Sequence, residues 1–576
     1  MGLLSRAIGA RALDRAPWWL SLVLGIGCVG LGLVLVARPF LSLGALVVAL
    51  AVALLVAAVA ELLRGGRWWS ALAGLAWAAA GVLVLVLPAL TIGALVVVVG
   101  VAMIVSGALD AVRAVREGVG ERGADLALAI AGVLLGVLAL AWPDVSVLAL
   151  AAVLGARLVL LGVQLVRRAV DRARGRAPER RPRPRRRGAL AAIALVAVAG
   201  LALVGLQLSG SPRPDAFYDP PAGVAAEPGA LLRSEPFDRA MPDGSIAWRI
   251  LYTTTGADGE PALASGLVVV PERGTAHPVV AWSHGTTGFA TGCARSLLDE
   301  PFVAGAMPDA QAVIDAGWAI VATDYAGLGT AGSQPYLIGE GEGPSVLDAI
   351  RAAQRLEAAA LAPETVLWGH SQGGHAALWA GGMASDYAPE LEIVGVAAMA
   401  PATDLPALLD GVAGSVVGPI FGSFALAAYD AAYPDVATAD YVRPGARILV
   451  DAAQRRCLTD PATLVSLATS VFSGAPVFSR SPGDGALGAR AAENVPTLPI
   501  DAPVLVAQGG ADSLITPDAQ AGWVEARCAE GWSIDHRTYD GLDHMGLVSG
   551  ESALLPELAA WTAARFAGEP TPAGCR

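Results

Sequence analysis

One stretch decides the fold of the larger part of this chain: Thr365-Val366-Leu367-Trp368-Gly369-His370-Ser371-Gln372-Gly373-Gly374-His375. Its first four residues predict a buried strand, and the apolar pattern of residues 376–383 predicts a helix shortly after it. A G-x-S-x-G sequence between a strand and a helix is a turn so tight that only small residues fit at its two glycine positions. We therefore interpret Gly369 and Gly373 as the two sides of a nucleophile elbow, and Ser371 as an exposed nucleophile.

Apolar, β-branched runs alternate with helical patterns on both sides of this turn. The runs are residues 266–270, 278–282, 319–323, 365–368, 393–399, 503–507 and 534–539. Strands that alternate with helices predict a mostly parallel sheet covered on both faces. A sheet of this kind with a serine elbow is typical of the α/β-hydrolase fold, in which the catalytic residues follow the chain order Ser, Asp or Glu, His.

A lone serine hydroxyl is a weak nucleophile and needs a general base. Two histidines follow the later strands. His544 lies in the loop after the last predicted strand, from which a base can reach the elbow, so it is the predicted base. His536 lies within that strand, where a structural role is the better interpretation.

The base in turn needs an orienting acid. Asp512 follows the run 503–507, at the carboxyl end of a strand, where sheets of this type place their functional groups. It is the predicted acid. Asp540 and Asp543 are adjacent in sequence to His544 and are more consistent with turn residues.

The tetrahedral intermediate of acyl transfer needs two hydrogen-bond donors for its oxyanion. The backbone N–H of Gln372 is the first predicted donor. Thr286, in the loop of residues 283–288 after an early strand, is the second, with Thr287 as the alternative. His284 in the same loop is expected to shape the loop rather than to act as a base.

The composition changes near residue 208 of the 576 residues. Before it the chain is mostly Ala, Leu, Val and Gly, and all six histidines lie after it. We identify seven apolar stretches of about the ~20 residues that a helix needs to cross a bilayer. They are residues 18–37, 43–63, 68–87, 91–112, 124–142, 145–166 and 188–208.

Arginines mark alternate loops between these stretches. Eleven of them lie between Arg167 and Arg187, and further groups of arginines precede the first stretch or follow the second and the fourth. The intervening loops carry only one arginine, Arg38. The positive-inside rule predicts a cytoplasmic N-terminus and an extracytoplasmic location for everything after Leu208. The basic block favours a topology signal or anionic lipid over nucleic acid, which is not an expected partner.

The apolar part also contains an internal repeat of helical hairpins with Pro39, Pro88 or Pro143 at the turn. Three such hairpins resemble the HdeD family of small bacterial membrane proteins over about residues 15–170. The seventh stretch is then a separate tether. Arg157 is the one clear charge inside the predicted helices, and it could have a functional role or contact a neighbouring helix.

The C-terminal part resembles the secretory lipase family over about residues 225–570. The resemblance rests on the elbow and on residues 284–288, 324–329, 400–405 and 510–512. It implies triacylglycerol lipase or carboxylesterase activity and a lid inserted at about residues 405–498. The apolar run Leu408 to Tyr429 in that insertion suits a cover that binds acyl chains, although an ordinary helix pair would have the same pattern.

Four of the five cysteines lie in the part predicted to be outside the cytoplasm. An even number there suggests disulfides, and four cysteines allow three pairings. The secretory lipase resemblance implies that Cys293 pairs with Cys457 and that Cys528 pairs with Cys575.

These observations predict four regions: 1–170, the six-helix domain; 171–208, the basic segment and seventh helix; 209–235, a linker; and 236–576, the α/β-hydrolase domain. We expect a membrane-tethered lipase or carboxylesterase that acts on lipid or other acyl esters and needs no cofactor or metal. Two alternatives stay open: an acyltransferase with the same triad, and a membrane stress protein with a non-catalytic binding domain. The oligomeric state is not predicted.

Overall fold

The computed structural model describes most of the C-terminal part of the chain and separate segments of the N-terminal part. The described residues are 18–37, 68–86, 88–117, 122–141, 211–221, 227–461 and 476–570, with short pieces within 51–58, 159–174, 195–200, 463–467 and 574–575. The chain divides into two compact units. One comprises Met1–Ser209, Arg443–Ala452 and Val465–Val477, and the other comprises Gly210–Val442, Ala453–Leu464 and Phe478–Arg576.

The N-terminal unit is helical in its described residues. Its longer helices are α1 (Trp18–Ala37), α2 (Trp68–Val86), α3 (Pro88–Glu117) and α4 (Arg122–Ala141). Helices α3 and α4 approach closely at glycines. A Cβ added to Gly107 would lie 2.7 Å from the carbonyl oxygen of Ala129, and one added to Gly136 would lie 2.6 Å from that of Gly100. These positions admit no larger side chain without moving the helices apart.

The predicted apolar stretches correspond only in part to described elements. Stretches 18–37, 68–87, 91–112 and 124–142 coincide with helices α1 to α4, whereas 43–63, 145–166, 188–208 and Arg157 lie wholly or mostly outside the described residues. Among the helices that the structure describes, none combines the length and the apolar character that a membrane crossing requires. The arrangement of seven spans therefore stays a prediction.

The C-terminal unit is built on one sheet of nine strands in the order β1-β2-β3-β5-β4-β6-β7-β8-β9. Strands β1, β2, β3 and β5 pair antiparallel, and all pairs from β5 to β9 are parallel. The predicted mostly parallel sheet is thus confirmed. The strands are β1 (Leu231–Phe237), β2 (Ser245–Thr255), β3 (Pro261–Pro271), β4 (His277–Ser283), β5 (Ala319–Thr323), β6 (Leu361–His370), β7 (Glu392–Met399), β8 (Val504–Gly509) and β9 (Ile534–Tyr539).

Helices cover both faces of this sheet because each face is apolar. Leu347, Leu378 and Trp523 belong to the core on one face, and Val313 and Leu558 to the core on the other. The helices of the C-terminal part of the chain are α5 (Pro301–Ala304), α6 (Ala310–Asp315), α7 (Gly339–Gln354), α8 (Gln372–Tyr387), α9 (Leu405–Ala413), α10 (Gly418–Ala432), α11 (Thr438–Tyr441), α12 (Arg447–Gln454), α13 (Gly485–Glu493), α14 (Pro517–Ala529) and α15 (Leu554–Phe566). Most of α12 lies in the segment Arg443–Ala452, which belongs to the other unit.

The sequence pattern missed two strands and placed the start of the domain too late. Strand β1 begins at Leu231, inside the predicted linker 209–235, and Phe217 and Tyr218 from the same stretch are buried in the core. An edge strand with one exposed polar segment lacks a clear apolar alternation, which explains why β1 was missed. The guanidinium of Arg249 lies 4.2 Å from the centre of the Phe217 ring and holds it against β2.

Candidate active site

Strand β6, a one-residue turn and helix α8 present Ser371 at the carboxyl edge of the sheet. Ser371 has φ 59° and ψ −120°, and its backbone N–H donates to the carbonyl of Met399 at 2.9 Å. A Cβ on Gly369 would lie 1.9 Å from the carbonyl oxygen of Gly373, and one on Gly373 would lie 1.9 Å from that of Ser283. Both glycines are therefore required by contact with backbone, and the strain at Ser371 is typical of functional sites.

Asp512 and His544 meet in the loops after β8 and β9. The His544 Nδ1 atom lies 2.7 Å from Asp512 Oδ2, while Asp512 Oδ1 accepts the N–H groups of Leu514 and Ile515 at 2.8 and 2.9 Å. Because a carboxylate only accepts, His544 donates from Nδ1, and its Nε2 is left as the acceptor. Burial by itself raises the pKa of Asp512, but His544 and the two N–H donors outweigh it and hold that pKa below its usual 3.8.

A cavity of about 790 Å³ brings the candidate nucleophile and base together. Ser371, His544, Gly285 and Thr286 line it, with Met545 on the side of the His544 loop. Asp512 does not line this cavity and lies behind His544, which is the position of a group that orients a base. The fold thus brings residues from the ends of β4, β6, β8 and β9 to one place.

The candidate oxyanion donors also lie beside Ser371. Gln372 is the first residue of α8, so its N–H is not used inside the helix. Thr286 and Gln372 line a second, small cavity with Ser371, and the Thr286 hydroxyl lies 3.0 Å from the hydroxyl of Tyr336. The alternative donor, Thr287, is buried, and its hydroxyl donates to the carbonyl of Cys293 at 2.8 Å.

Comparison with known proteins gives the class of this site. The family model of secretory lipases matches residues 309–574. A secreted triacylglycerol lipase of Malassezia globosa is 28% identical over 62% of this chain and 79% of its own length. The C-terminal domain is an ester hydrolase of the lipase type. A probable inactive lipase of Mycobacterium tuberculosis is also similar, at 29% identity over 62% of this chain and 83% of its own.

The fold of the ester hydrolase domain matches a solved lipase. The structure of Candida antarctica lipase A in its closed state superposes with a TM-score of 0.52 and 19% identity, over 63% of this chain and 89% of that one. This similarity confirms the predicted α/β-hydrolase fold. In the N-terminal part, a short repeat of unknown function matches three times, at residues 23–85, 72–134 and 127–204, in agreement with the internal repeat.

Burial lowers the pKa of three other histidines of the hydrolase domain. His284 is fully buried, and burial, followed by the charge of Arg295, lowers its pKa to about 3. His370 is also buried, and burial and then His544 lower its pKa to about 3. The His370 Nε2 donates to the carbonyl of His544 at 3.0 Å, so His370 fixes the loop that carries the candidate base. Burial also lowers the pKa of His536, within β9.

Both implied disulfides are confirmed: Cys293 is bonded to Cys457 and Cys528 to Cys575. The first connects the loop after β4 to the segment after α12, where Leu458 lines the large cavity. It therefore anchors one wall of the cavity to the loop that carries Thr286.

Sequence reasoning missed Glu342, a fully buried carboxylate on α7. Its Oε1 accepts the side-chain N–H of Gln372 at 2.7 Å, and its Oε2 lies 2.7 Å from His375 Nδ1. No local sequence pattern indicates this contact, because α7 lies far from the elbow in sequence and no motif connects them.

Proposed function

We propose that the hydrolase domain cleaves lipid acyl esters through a catalytic triad of Ser371, Asp512 and His544. In this proposal the N-terminal helices tether the domain to the outer side of a membrane. The hydrogen bond from His544 to Asp512, together with the cavity that His544 and Ser371 both line, carries this proposal. It orients the imidazole with Nε2 as an acceptor, which is the state that a general base for a serine requires.

In the proposed reaction the Ser371 hydroxyl attacks the ester carbonyl and its proton passes to His544 Nε2. The bond from serine oxygen to carbon forms, and the negative charge on the carbonyl oxygen is met by the N–H groups of Gln372 and Thr286. The bond to the alcohol then breaks, and His544 returns the proton to the leaving oxygen. A water molecule, deprotonated by His544, releases the acid from Ser371 in the same way.

The small cavity beside Ser371 is the proposed acyl site. Leu408 and Leu409 from α9 and Phe421 and Ala425 from α10 line it. Its volume is about 30 Å³, a small fraction of the 790 Å³ of the large cavity. A long acyl chain therefore requires α9 and α10 to move, so we assign these helices to the lid.

Two features of the chain support the outer location. Most arginines of the N-terminal part lie in alternate loops, and the positive-inside rule assigns such loops to the cytoplasm. Disulfides such as Cys293–Cys457 form and persist in oxidising compartments. The membrane tether rests on the apolar stretches of the sequence and on these two features.

Hydrolysis of p-nitrophenyl esters from acetate to palmitate, with and without a glycerol acceptor, tests the proposal. Wild-type protein should hydrolyse the esters and react with a fluorophosphonate probe, and Ser371→Ala should do neither. Product esters that exceed free acid when glycerol is present would favour acyl transfer. Unchanged hydrolysis by Ser371→Ala, or a wild type that neither turns over esters nor binds the probe covalently, would reject the triad.

A further inference from the structure

A buried chain of hydrogen bonds includes the first residue of the helix that follows the elbow, and its members do not line the large cavity. Glu342, His375, Gln372 and Asn494 are each 2% exposed or less. Glu342 is on α7, Gln372 and His375 are on α8, and Asn494 follows α13 at the end of the lid insertion. None of these side chains has a part in the proposed proton transfers.

The protonation of His375 follows from its two partners. Its Nε2 lies 2.8 Å from the carbonyl oxygen of Asn494, which has no hydrogen, so Nε2 must donate. Its Nδ1 lies 2.7 Å from Oε2 of Glu342. Two lone pairs at this distance would repel, so one further proton lies between Nδ1 and Oε2. The two side chains thus share a proton and form a neutral pair that can be buried without an isolated charge.

The other oxygen of Glu342 holds the first turn of α8. Oε1 accepts the side-chain N–H of Gln372 at 2.7 Å and the backbone N–H of Leu337 at 3.0 Å. The backbone N–H of Gln372 is the proposed oxyanion donor, and a side chain held by a buried hydrogen bond restricts the movement of the backbone to which it is attached. An oxyanion donor is effective only when it is already oriented, since reorientation during the reaction costs the stabilisation that it supplies.

The opposite end of the chain of hydrogen bonds is in the lid insertion. The backbone carbonyl oxygen of Asn494 accepts hydrogen bonds from the side chains of His375 and Trp379. Its side-chain oxygen accepts the backbone N–H of Gly339, and its side-chain nitrogen donates to the hydroxyl of Tyr433. The segment that ends the insertion is therefore bonded to the same helices, α7 and α8, that hold the elbow.

We propose that Glu342 and His375 are positioning residues that hold Gln372 in place for oxyanion stabilisation, and that they connect this donor to the end of the lid. The inference rests on the proposed function, because it concerns the oxyanion site of that reaction. Its consequence is a defect in turnover without a defect in ester binding when Glu342 can no longer accept from Gln372.

Three variants separate the hydrogen bonds from the charge. Glu342→Met has a similar shape but accepts nothing, and Gln372→Met removes the side-chain donor while it keeps the backbone N–H. Glu342→Gln also removes the charge, but its amide oxygen can still accept from Gln372 and Leu337 while its nitrogen donates to a neutral His375. It is the conservative variant that should rescue turnover.

We expect kcat for a p-nitrophenyl ester to fall about 10- to 100-fold in Glu342→Met and Gln372→Met, with KM changed less than about 2-fold, since losing a whole oxyanion donor costs about 10²- to 10³-fold. Glu342→Gln should retain most of kcat. The double variant should lose no more than either single one, because both changes break the same hydrogen bond.

Tyr433→Phe is the matched control. It removes one partly buried hydrogen bond of Asn494 at the far end of the chain of bonds, and it should leave kcat unchanged. Melting temperatures measured for all variants show whether each is folded, and Gln372→Met provides the test if Glu342→Met does not fold.

The outcomes are distinguishable from failure of the proposed function. If wild type neither hydrolyses esters nor reacts with the probe, the proposed function fails. If wild type is active and folded Gln372→Met keeps its kcat, or if Glu342→Gln falls as far as Glu342→Met, the positioning role is wrong. Additive losses in the double variant would also contradict it.

Discussion

Replacing Asp512 by asparagine should abolish most turnover because the structure determines which way the new amide points. The two backbone N–H groups of Leu514 and Ile515 donate to Oδ1 at 2.8 and 2.9 Å, whereas Oδ2 accepts one longer bond, from the Gln508 side chain at 3.3 Å, besides that from His544. We therefore expect the amide oxygen to take the Oδ1 position. The amide nitrogen then faces His544 Nδ1, where a carboxylate oxygen accepts at 2.7 Å in the native protein. The opposite orientation would place the NH₂ group against two N–H donors.

With an NH₂ group at this position, His544 must accept at Nδ1 and carry its proton on Nε2. That tautomer directs a hydrogen at Ser371 and cannot remove the serine proton. In other serine triads this change lowers kcat by about 10⁴-fold, which is about 5.5 kcal/mol of transition-state stabilisation. We expect a loss of the same order here, with little change in KM, measured with a p-nitrophenyl ester.

Asp543→Asn is the control of identical chemistry. Asp543 is adjacent to His544, but its Oδ1 accepts the backbone N–H of Gly546 at 2.7 Å, a contact that an asparagine oxygen retains. Its kcat should stay within about 3-fold of wild type. If Asp512→Asn retained more than a tenth of wild-type kcat while folded, or if Asp543→Asn caused the large loss, the assignment of the acid would be wrong.

Three further predictions follow from the elbow, the disulfides and the arginine pattern. Gly373→Ala should prevent formation of the elbow, because its Cβ would lie 1.9 Å from the carbonyl oxygen of Ser283. Loss of labelling by the fluorophosphonate probe and a lower melting temperature would show this effect, and a fully active variant would contradict it. Peptide mapping without reduction should find Cys293 linked to Cys457 and Cys528 linked to Cys575, and four free thiols would reject the oxidising location. The linked cysteines are 164 and 47 residues apart in the chain, so the chain-entropy model gives about 5 and about 4 kcal/mol of stabilisation. A reporter fused after residue 210 should be active only in a form that works outside the cytoplasm, and one fused near Arg180 only in a form that works inside; the opposite pattern would reverse the proposed topology.

Local sequence was sufficient for the parts of the site that depend on neighbouring residues. The elbow is a strand, a turn and a helix in one continuous stretch, so Ser371 and its two glycines could be recognised without tertiary information. Chain order and strand ends then led to Asp512 and His544, which the fold brings to 2.7 Å of one another. Whether Ser371 and His544 act together in catalysis is what the proposed experiments decide.

The sequence was not sufficient to predict elements in which the polar and apolar residues do not alternate regularly. Strand β1 was assigned to a linker because its exposed Ser234 and Glu235 hide the strand pattern, and its pairing with β2 supplies the stability that the pattern does not indicate. The proposed choice of Thr286 over Thr287 also depends on packing, since Thr286 lines both cavities beside Ser371 whereas Thr287 is buried.

By itself, the sequence determined the fold class of the C-terminal domain, the candidate nucleophile and the chain order of its candidate partners, because strand, turn and helix preferences act over a few residues. Only the tertiary structure decided which groups support them. His370 donates to the backbone of His544, and Glu342 bonds to both Gln372 and His375, across elements that are distant in the chain. A hydrogen bond requires its partners within about 3 Å. That condition is set by how α7, α8 and the ends of the strands pack around the apolar core, and no local pattern records it.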